Sequence, residues 1–147
     1  MKLSTKGRYA MRAMLDLAQH YNEGLTLVKD IARRQEISER YLEHLFLSLK
    51  SAGLIKSARG AHGGFALARP PSEIKLVEVM QVCEGPLALV ECIADAGLCS
   101  RSSQCATRDV WKEMQLSMES LLSSMTLQDL IERQRVKEKP ICNNYAI

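Results

Sequence analysis

Five cysteines carry the clearest capacity for chemistry in this 147-residue chain, and all of them (Cys83, Cys92, Cys99, Cys105 and Cys142) lie in its second half. Cys92, Cys99 and Cys105 are separated by six and then five residues, in a small, polar stretch with Ala94, Asp95, Gly97, Ser100, Ser102 and Ser103. The spacing is wider than the paired C-x-x-C knuckles of zinc sites and unlike the tight cysteine run of ferredoxins. Three thiolates on a loop with little core of its own suit either a soft metal centre or a redox switch. Cys83 falls on an apolar helical face and reads as a buried structural thiol, and Cys142 has no evident role. His20, His44 and His62 stand apart on separate elements. No nucleophile–base set is readable, so neither catalysis nor a small-molecule substrate is expected.

Charge is divided unevenly between the elements that must position these residues. Residues 1–69 hold 12 Lys/Arg against 6 Asp/Glu, whereas residues 70–147 hold 8 against 11. A basic first half beside an acidic second half points to a polyanion bound by the first half alone. Apolar residues make up 46% of the chain, Ala, Leu and Met more than aromatics, which favours a helical core over disorder. Lys2, Lys6, Arg8 and Arg12 interrupt any opening apolar run, and no stretch of about 18 apolar residues is present to span a bilayer. The expectation is a cytoplasmic chain with reduced thiols and no membrane partner.

Hydrophobic periodicity predicts an amphipathic helix over 6–21, a short helix over 28–35, and a third helix capped by Ser38 and ended near Gly53. Leu25-Thr26-Leu27 reads as a short strand or an extended lead-in. Leu54–Ala58, a glycine-bearing turn and Phe65–Ala68 make a hairpin, which Arg69-Pro70-Pro71 stops. A helix over 72–84, the aperiodic cysteine stretch, a long helix over 107–124 and a short helix from Thr126 to about Arg135 follow.

Short helix, turn, capped helix and hairpin are the parts of a winged helix-turn-helix, which binds double-stranded DNA. Apolar Tyr41, Leu42, Leu45, Phe46 and Leu49 hold the capped helix to the core, leaving Ser38, Arg40, Glu43 and His44 outward. Arg40 suits guanine or a phosphate, and Glu43 suits cytosine N4 or a surface pair with a neighbouring basic residue. His44 reads as a groove contact or an ordinary surface residue. Arg59, beside Gly60 at the hairpin turn, suits a minor groove. Gly60, Gly63 and Gly64 either allow close approach to DNA or serve only tight-turn geometry. Lys2, Lys6, Arg8 and Lys56 read as phosphate contacts, which position rather than specify.

The opening Met1-Lys-Leu-Ser-Thr-Lys-Gly-Arg-Tyr-Ala10 is joined by Ile37-Ser-Glu-Arg-Tyr-Leu-Glu43, Leu45-Phe46, Gly53-Leu54-Ile55, Arg59-Gly60 with Gly63-Gly64, and Thr126-Leu127. Together they resemble the IscR/NsrR-type family of winged helix-turn-helix iron–sulfur transcriptional regulators, which includes RirA and CymR, over residues 1 to about 133. The resemblance implies a homodimer joined through the helix over 107–124, a pseudo-palindromic operator, and DNA contacts by Glu43 and Arg59. It also implies that Cys92, Cys99 and Cys105 are the thiolate ligands of an iron–sulfur cluster with two or four irons. Two departures leave the fourth ligand unassigned. The IscR branch has a histidine three residues after its third cysteine, where this chain has Arg108. The NsrR branch supplies an aspartate from the partner's first helix, at the position held here by Arg8.

The expected fold class is therefore mostly α with a small β wing and a long C-terminal dimerisation helix. Residues 1–71 form the DNA-binding domain, 72–90 a connecting helix and linker, 91–106 the cysteine loop, 107–135 the dimerisation helices and 136–147 a tail. Two readings compete with the cluster-bearing sensor of iron, redox state or nitric oxide. One is a cluster-free winged-helix repressor governed by thiol oxidation or a partner protein. The other is a small iron–sulfur electron carrier or scaffold, which leaves the basic hairpin unexplained.

Overall fold

The structure, a computed structural model, describes residues 1–139. Cys142 and most of the expected tail lie outside the described residues. Helix α1 (Thr5–Gln19) starts where the Ser4 hydroxyl accepts from the Gly7 N–H at 2.9 Å. It buries Ala10, Ala13, Met14 and Leu17 along one stripe. Helices α2 (Val28–Gln35) and α3 (Glu39–Ser51) meet across a tight turn in which Glu36 takes a left-handed φ of 54°. Ser38 caps α3, its Oγ accepting from the Tyr41 N–H at 3.2 Å. Leu42, Leu45, Phe46 and Leu49 then fasten α3 to the core. Burial of such a side chain contributes about 1.5–3 kcal/mol.

Strands β1 (Ile55–Ala58) and β2 (Gly64–Leu67) pair antiparallel, Ile55 opposite Leu67 and Ala58 opposite Gly64. Thr26 and Phe65 exchange both backbone hydrogen bonds at 2.8 Å, so the segment before α2 adds a single bridge to the wing. A Cβ at Gly63 would run into the Ala58 carbonyl, and one at Gly64, where φ is 146°, into the Thr26 carbonyl. Packing inside the wing therefore explains these two glycines.

Beyond the wing, the chain departs from the expected boundaries. Residues 72–75 are not part of the α-helix: a 3₁₀ turn covers Pro71–Glu73, and α4 spans Leu76–Glu84. The Leu76 N–H donates to the Met125 carbonyl and the Leu127 N–H to the Ile74 carbonyl, each at 3.0 Å, which holds this segment extended. The cysteine stretch folds into α5 (Glu91–Ala94) and two 3₁₀ turns, Ala96–Leu98 and Ser102–Gln104. Helix α6 (Ala106–Ser124) buries none of its residues in this chain. Helix α7 (Leu127–Glu138) continues past Arg135, and its Leu127 and Ile131 are buried in the same core as Ala13 and Leu17 of α1. It is packed with the winged helix. No described helix is long and apolar enough to cross a membrane.

One polar residue sits inside this core. Asp16 is 1% exposed and accepts from Arg34 Nε and Nη2 at 2.9 and 2.7 Å and from Gln35 Nε2 at 3.0 Å. The fork geometry matches a guanidinium to a carboxylate and fixes α2 against α1.

Candidate nucleic-acid interface and cysteine loop

The outward face of α3 and the wing enclose a cleft of about 340 Å³, whose lining includes Glu43, Leu47, Lys50, Ser57, Arg59 and Gly60. Lys50 Nζ donates to Ser57 Oγ at 2.6 Å, tying α3 to β1. Behind the cleft the rings of Phe46 and Phe65 pack with centroids 4.7 Å apart, so the wing angle is set by core packing. Arg40, Glu43, His44 and Arg59 are exposed and make no side-chain hydrogen bond or ion pair among the described residues. The surface pair considered for Glu43 is thus not formed. Ser38 is exposed; its hydroxyl oxygen caps α3, which leaves the hydroxyl proton available to a ligand.

Helix α1 borders the same face. The rings of Tyr9 and Tyr41 meet edge-on with centroids 5.5 Å apart, which brings this turn of α1 beside the start of α3. Arg12 lies over the Tyr9 ring at 5.6 Å and also reaches the Gln35 carbonyl. Arg8 is exposed one turn earlier, its Nη2 at 3.4 Å from Thr5 Oγ1. The other predicted phosphate contacts stand elsewhere. Lys56 is exposed on β1 and borders a hollow beside Tyr21, Asn22 and Gly24, away from the α3 cleft. Lys2 lines a groove formed with residues 86–89 and Met118 of α6, and the charge of Lys6 acts on Cys83.

Sequence reasoning passed over Arg12 and Leu47. Arg12 carried a weak signal, its helical offset of three from Tyr9. Leu47, exposed between buried Phe46 and Leu49, departs from the apolar stripe by one position.

In the cysteine loop, Cys105 occupies the N-cap of α6. Hydrogen bonds from the Thr107 hydroxyl and the Arg108 N–H pull its thiol below the ordinary cysteine range, which favours the thiolate. Cys83 is the converse: burial pushes its thiol up, against an opposing pull from Lys6, and it packs against the core only part-buried, short of the burial expected of it. Arg108 Nε donates to the Cys92 carbonyl at 2.9 Å and so ties α5 to α6. Ser102 Oγ bonds the Ala96 and Cys99 carbonyls at 2.8 Å each, holding the turns together. The donor set fits a thiolate-bound iron–sulfur cluster in kind. Among the described residues, however, no three His, Cys, Asp or Glu side chains converge in a metal-holding group.

A family model described as "Rrf2: Iron-dependent Transcriptional regulator" matches residues 3–133. The chain belongs to the Rrf2 family. Protein rrf2 of Nitratidesulfovibrio vulgaris is 41% identical to it over 97% of this chain and 95% of its own length. The regulator CymR of Bacillus subtilis is also 41% identical, over 88% of this chain and 89% of its own. Among solved structures, T. potens IscR superposes with a TM-score of 0.78 at 41% identity, covering 94% of this chain and 91% of the other. This Rrf2 protein is accordingly a DNA-binding transcriptional regulator of IscR/CymR type with a winged-helix fold. Relatives such as CymR and IscR are named as HTH-type transcriptional regulators, not as enzymes.

Proposed function

We propose that this Rrf2 protein is a homodimeric regulator that reads a pseudo-palindromic operator and reports iron, redox or nitric oxide state through the cysteine loop. The observation that carries the reading is the placement of three cysteines between the winged helix and a long helix none of whose residues is fully buried in its own chain. A dimer joined along α6 would cover Val110, Trp111 and Leu121, all exposed here, and its twofold axis would relate two recognition helices. Cys92, Cys99 and Cys105 would hold the iron–sulfur cluster, which supplies redox-sensitive, soft thiolate-bound iron when bound.

The chain's own residues then divide the work. Ser38, Arg40, Glu43 and His44 face base edges in the major groove, Arg59 and Gly60 approach the minor groove, and Arg8 and Arg12 hold phosphates. Lys2, Lys6 and Lys56 stand away from the cleft, and their contacts require DNA to extend past it. Arg108 links the cysteine loop to α6, so a change in loop conformation shifts α6 and with it the spacing of the two halves.

A thiol-regulated reading without a cluster is favoured by the likeness to CymR, of which Staphylococcus aureus CymR has a solved structure titled as an oxidized form, at 35% identity to this chain. Purification without oxygen, followed by the visible spectrum and iron, acid-labile sulfide and zinc per chain, separates the two. Matched iron and sulfide, lost in Cys92→Ala, supports the cluster. A colourless chain after anaerobic reconstitution, with thiols lost on mild oxidation, overturns it in favour of the switch. Arg59→Ala should weaken operator binding at every salt concentration, and unchanged affinity would remove the minor-groove role.

A further inference from the structure

Leu47 stands at the centre of the outward face of α3. At about 100° per residue, Arg40, Glu43, His44, Leu47 and Lys50 fall within an arc of about 120°, with Leu47 near its middle and nearly opposite Leu49. Leu47 is 65% exposed, whereas Phe46 and Leu49 on either side of it are 1% and 0% exposed. It therefore contributes nothing to the core that holds the helix. A single exposed leucine is ordinary on a protein surface. This one lies within the cleft between recognition helix and wing, beside Glu43, Lys50 and Arg59 and close to the part-exposed Leu27.

We propose that Leu47 is a base-reading residue, which packs against a thymine C5-methyl group in the major groove and so selects an A·T pair at that step. The inference rests on the DNA-binding reading of α3 and adds a specificity determinant to it. Charge says what covers this face: Arg40, Lys50 and Arg59 surround the leucine with cations suited to a polyanion. Base chemistry says what meets the leucine. The thymine methyl is the apolar group on the major-groove edges, whereas the other positions carry donors or acceptors. A donor or acceptor pressed against Leu47 loses its water and gains no partner, so the residue also disfavours a G·C pair.

The test starts from duplexes selected by the full-length protein from a randomised pool. Each thymine of the selected duplex is then replaced in turn by deoxyuridine, which removes only the methyl. Affinities are measured for the wild type and for Leu47→Ala, whose exposed position leaves folding intact, checked by an unchanged unfolding curve. One thymine per half-site is expected to cost the wild type about fourfold when its methyl is removed. Leu47→Ala should be indifferent to that replacement and keep the same salt dependence. Equal losses in both proteins, or no methyl-sensitive thymine at all, would overturn the role of Leu47. So would a wild-type affinity in Leu47→Ala together with a changed assembly state, which assigns the leucine to a protein contact. A pool that enriches no sequence would instead bring down the DNA-binding reading itself.

Discussion

Ser4 donates to one oxygen of Glu84 from both its backbone N–H, at 3.1 Å, and its hydroxyl, at 2.5 Å. The first residue before α1 is thereby bonded to the last residue of α4, across 80 positions of sequence. Gly7 lies under the same carboxylate: a Cβ there would meet Glu84 Oε1 and stand 3.2 Å from Met80 Cε. The start of α1 and the exit toward the cysteine loop are thus one packed junction.

Glu84→Ala should accordingly cost about 1.5–3 kcal/mol, the range for hydrogen bonds to a charged acceptor. Gly7→Ala should destabilise as well, because the added methyl forces the carboxylate off Ser4. Denaturant unfolding of both variants and of the double variant checks this. Their effects are expected to be less than additive, since either change breaks the same junction.

The buried carboxylate of Asp16 gives a larger expected loss. Asp16→Ala leaves the Arg34 guanidinium and the Gln35 amide without their acceptor at the α1–α2 contact. Removing one partner of a buried pair costs about 3–5 kcal/mol, and the partial exposure of Arg34 lowers the expectation to about 2–4 kcal/mol. Asp16→Asn should lose less, because it keeps one carbonyl acceptor. Chemical denaturation reads both, and an Asp16→Ala chain as stable as the wild type would show that the pair contributes no net stability.

How far the sequence discloses this molecule depends on the range of the interactions involved. The Ser38 cap, the Thr126 cap and α2 are local, encoded within four or eight neighbouring residues, and they stand where periodicity and cap chemistry put them. The extended segment before α4 was not legible, because its partner is Thr126, some fifty residues further on. The burial of Asp16 is not legible for the same reason: Arg34, which justifies it, belongs to another helix. Of the site, the outward residues of α3 follow from the buried stripe. The separation of Lys2, Lys6 and Lys56 from the cleft does not, since charge on a sequence carries no direction in space.

Glu78 makes stability respond to acid. Burial alone would raise its carboxyl, but hydrogen bonds from Arg69, at 2.7 Å, and from the Lys75 N–H, at 2.8 Å, outweigh it and hold the group below its ordinary value. A lowered folded value means the contribution is fully present above the ordinary carboxylate range and is lost as pH falls through the lowered one. With the pair part-exposed, less than about 1 kcal/mol is at stake. Unfolding curves from about pH 7 to about pH 3 should show wild type and Glu78→Gln converging as the pH drops.

The thiols should differ in reactivity in the chain freed of iron. Cys105, whose thiolate is favoured by Thr107 and the head of α6, should be alkylated faster than Cys83, which burial keeps protonated. Thr107→Val should slow Cys105 without affecting Cys83. Timed labelling with mass spectrometry resolves the two sites. Equal rates would show that the α6 N-cap does not activate its cysteine.

The last expectation concerns α6, which is 19 residues long and buries none of them in this chain. Val110, Trp111 and Leu121 are 49%, 38% and 59% exposed along one stripe, and Met114, Met118 and Leu122 of the same stripe are only part-covered. Leaving such a stripe in water forgoes about 25 cal/mol for each Å² that a second copy would cover. Sedimentation of the wild type should therefore report two chains. Leu121→Glu places a charge in the apolar contact without touching the winged-helix core, and should shift the equilibrium to a monomer with an unchanged far-ultraviolet spectrum. That monomer should keep half-site affinity and lose the tighter binding of the full operator, because two linked recognition helices gain from a high effective concentration. If Leu121→Glu remains dimeric, the contact between copies runs along a different face, and the twofold relation of the recognition helices must be sought there.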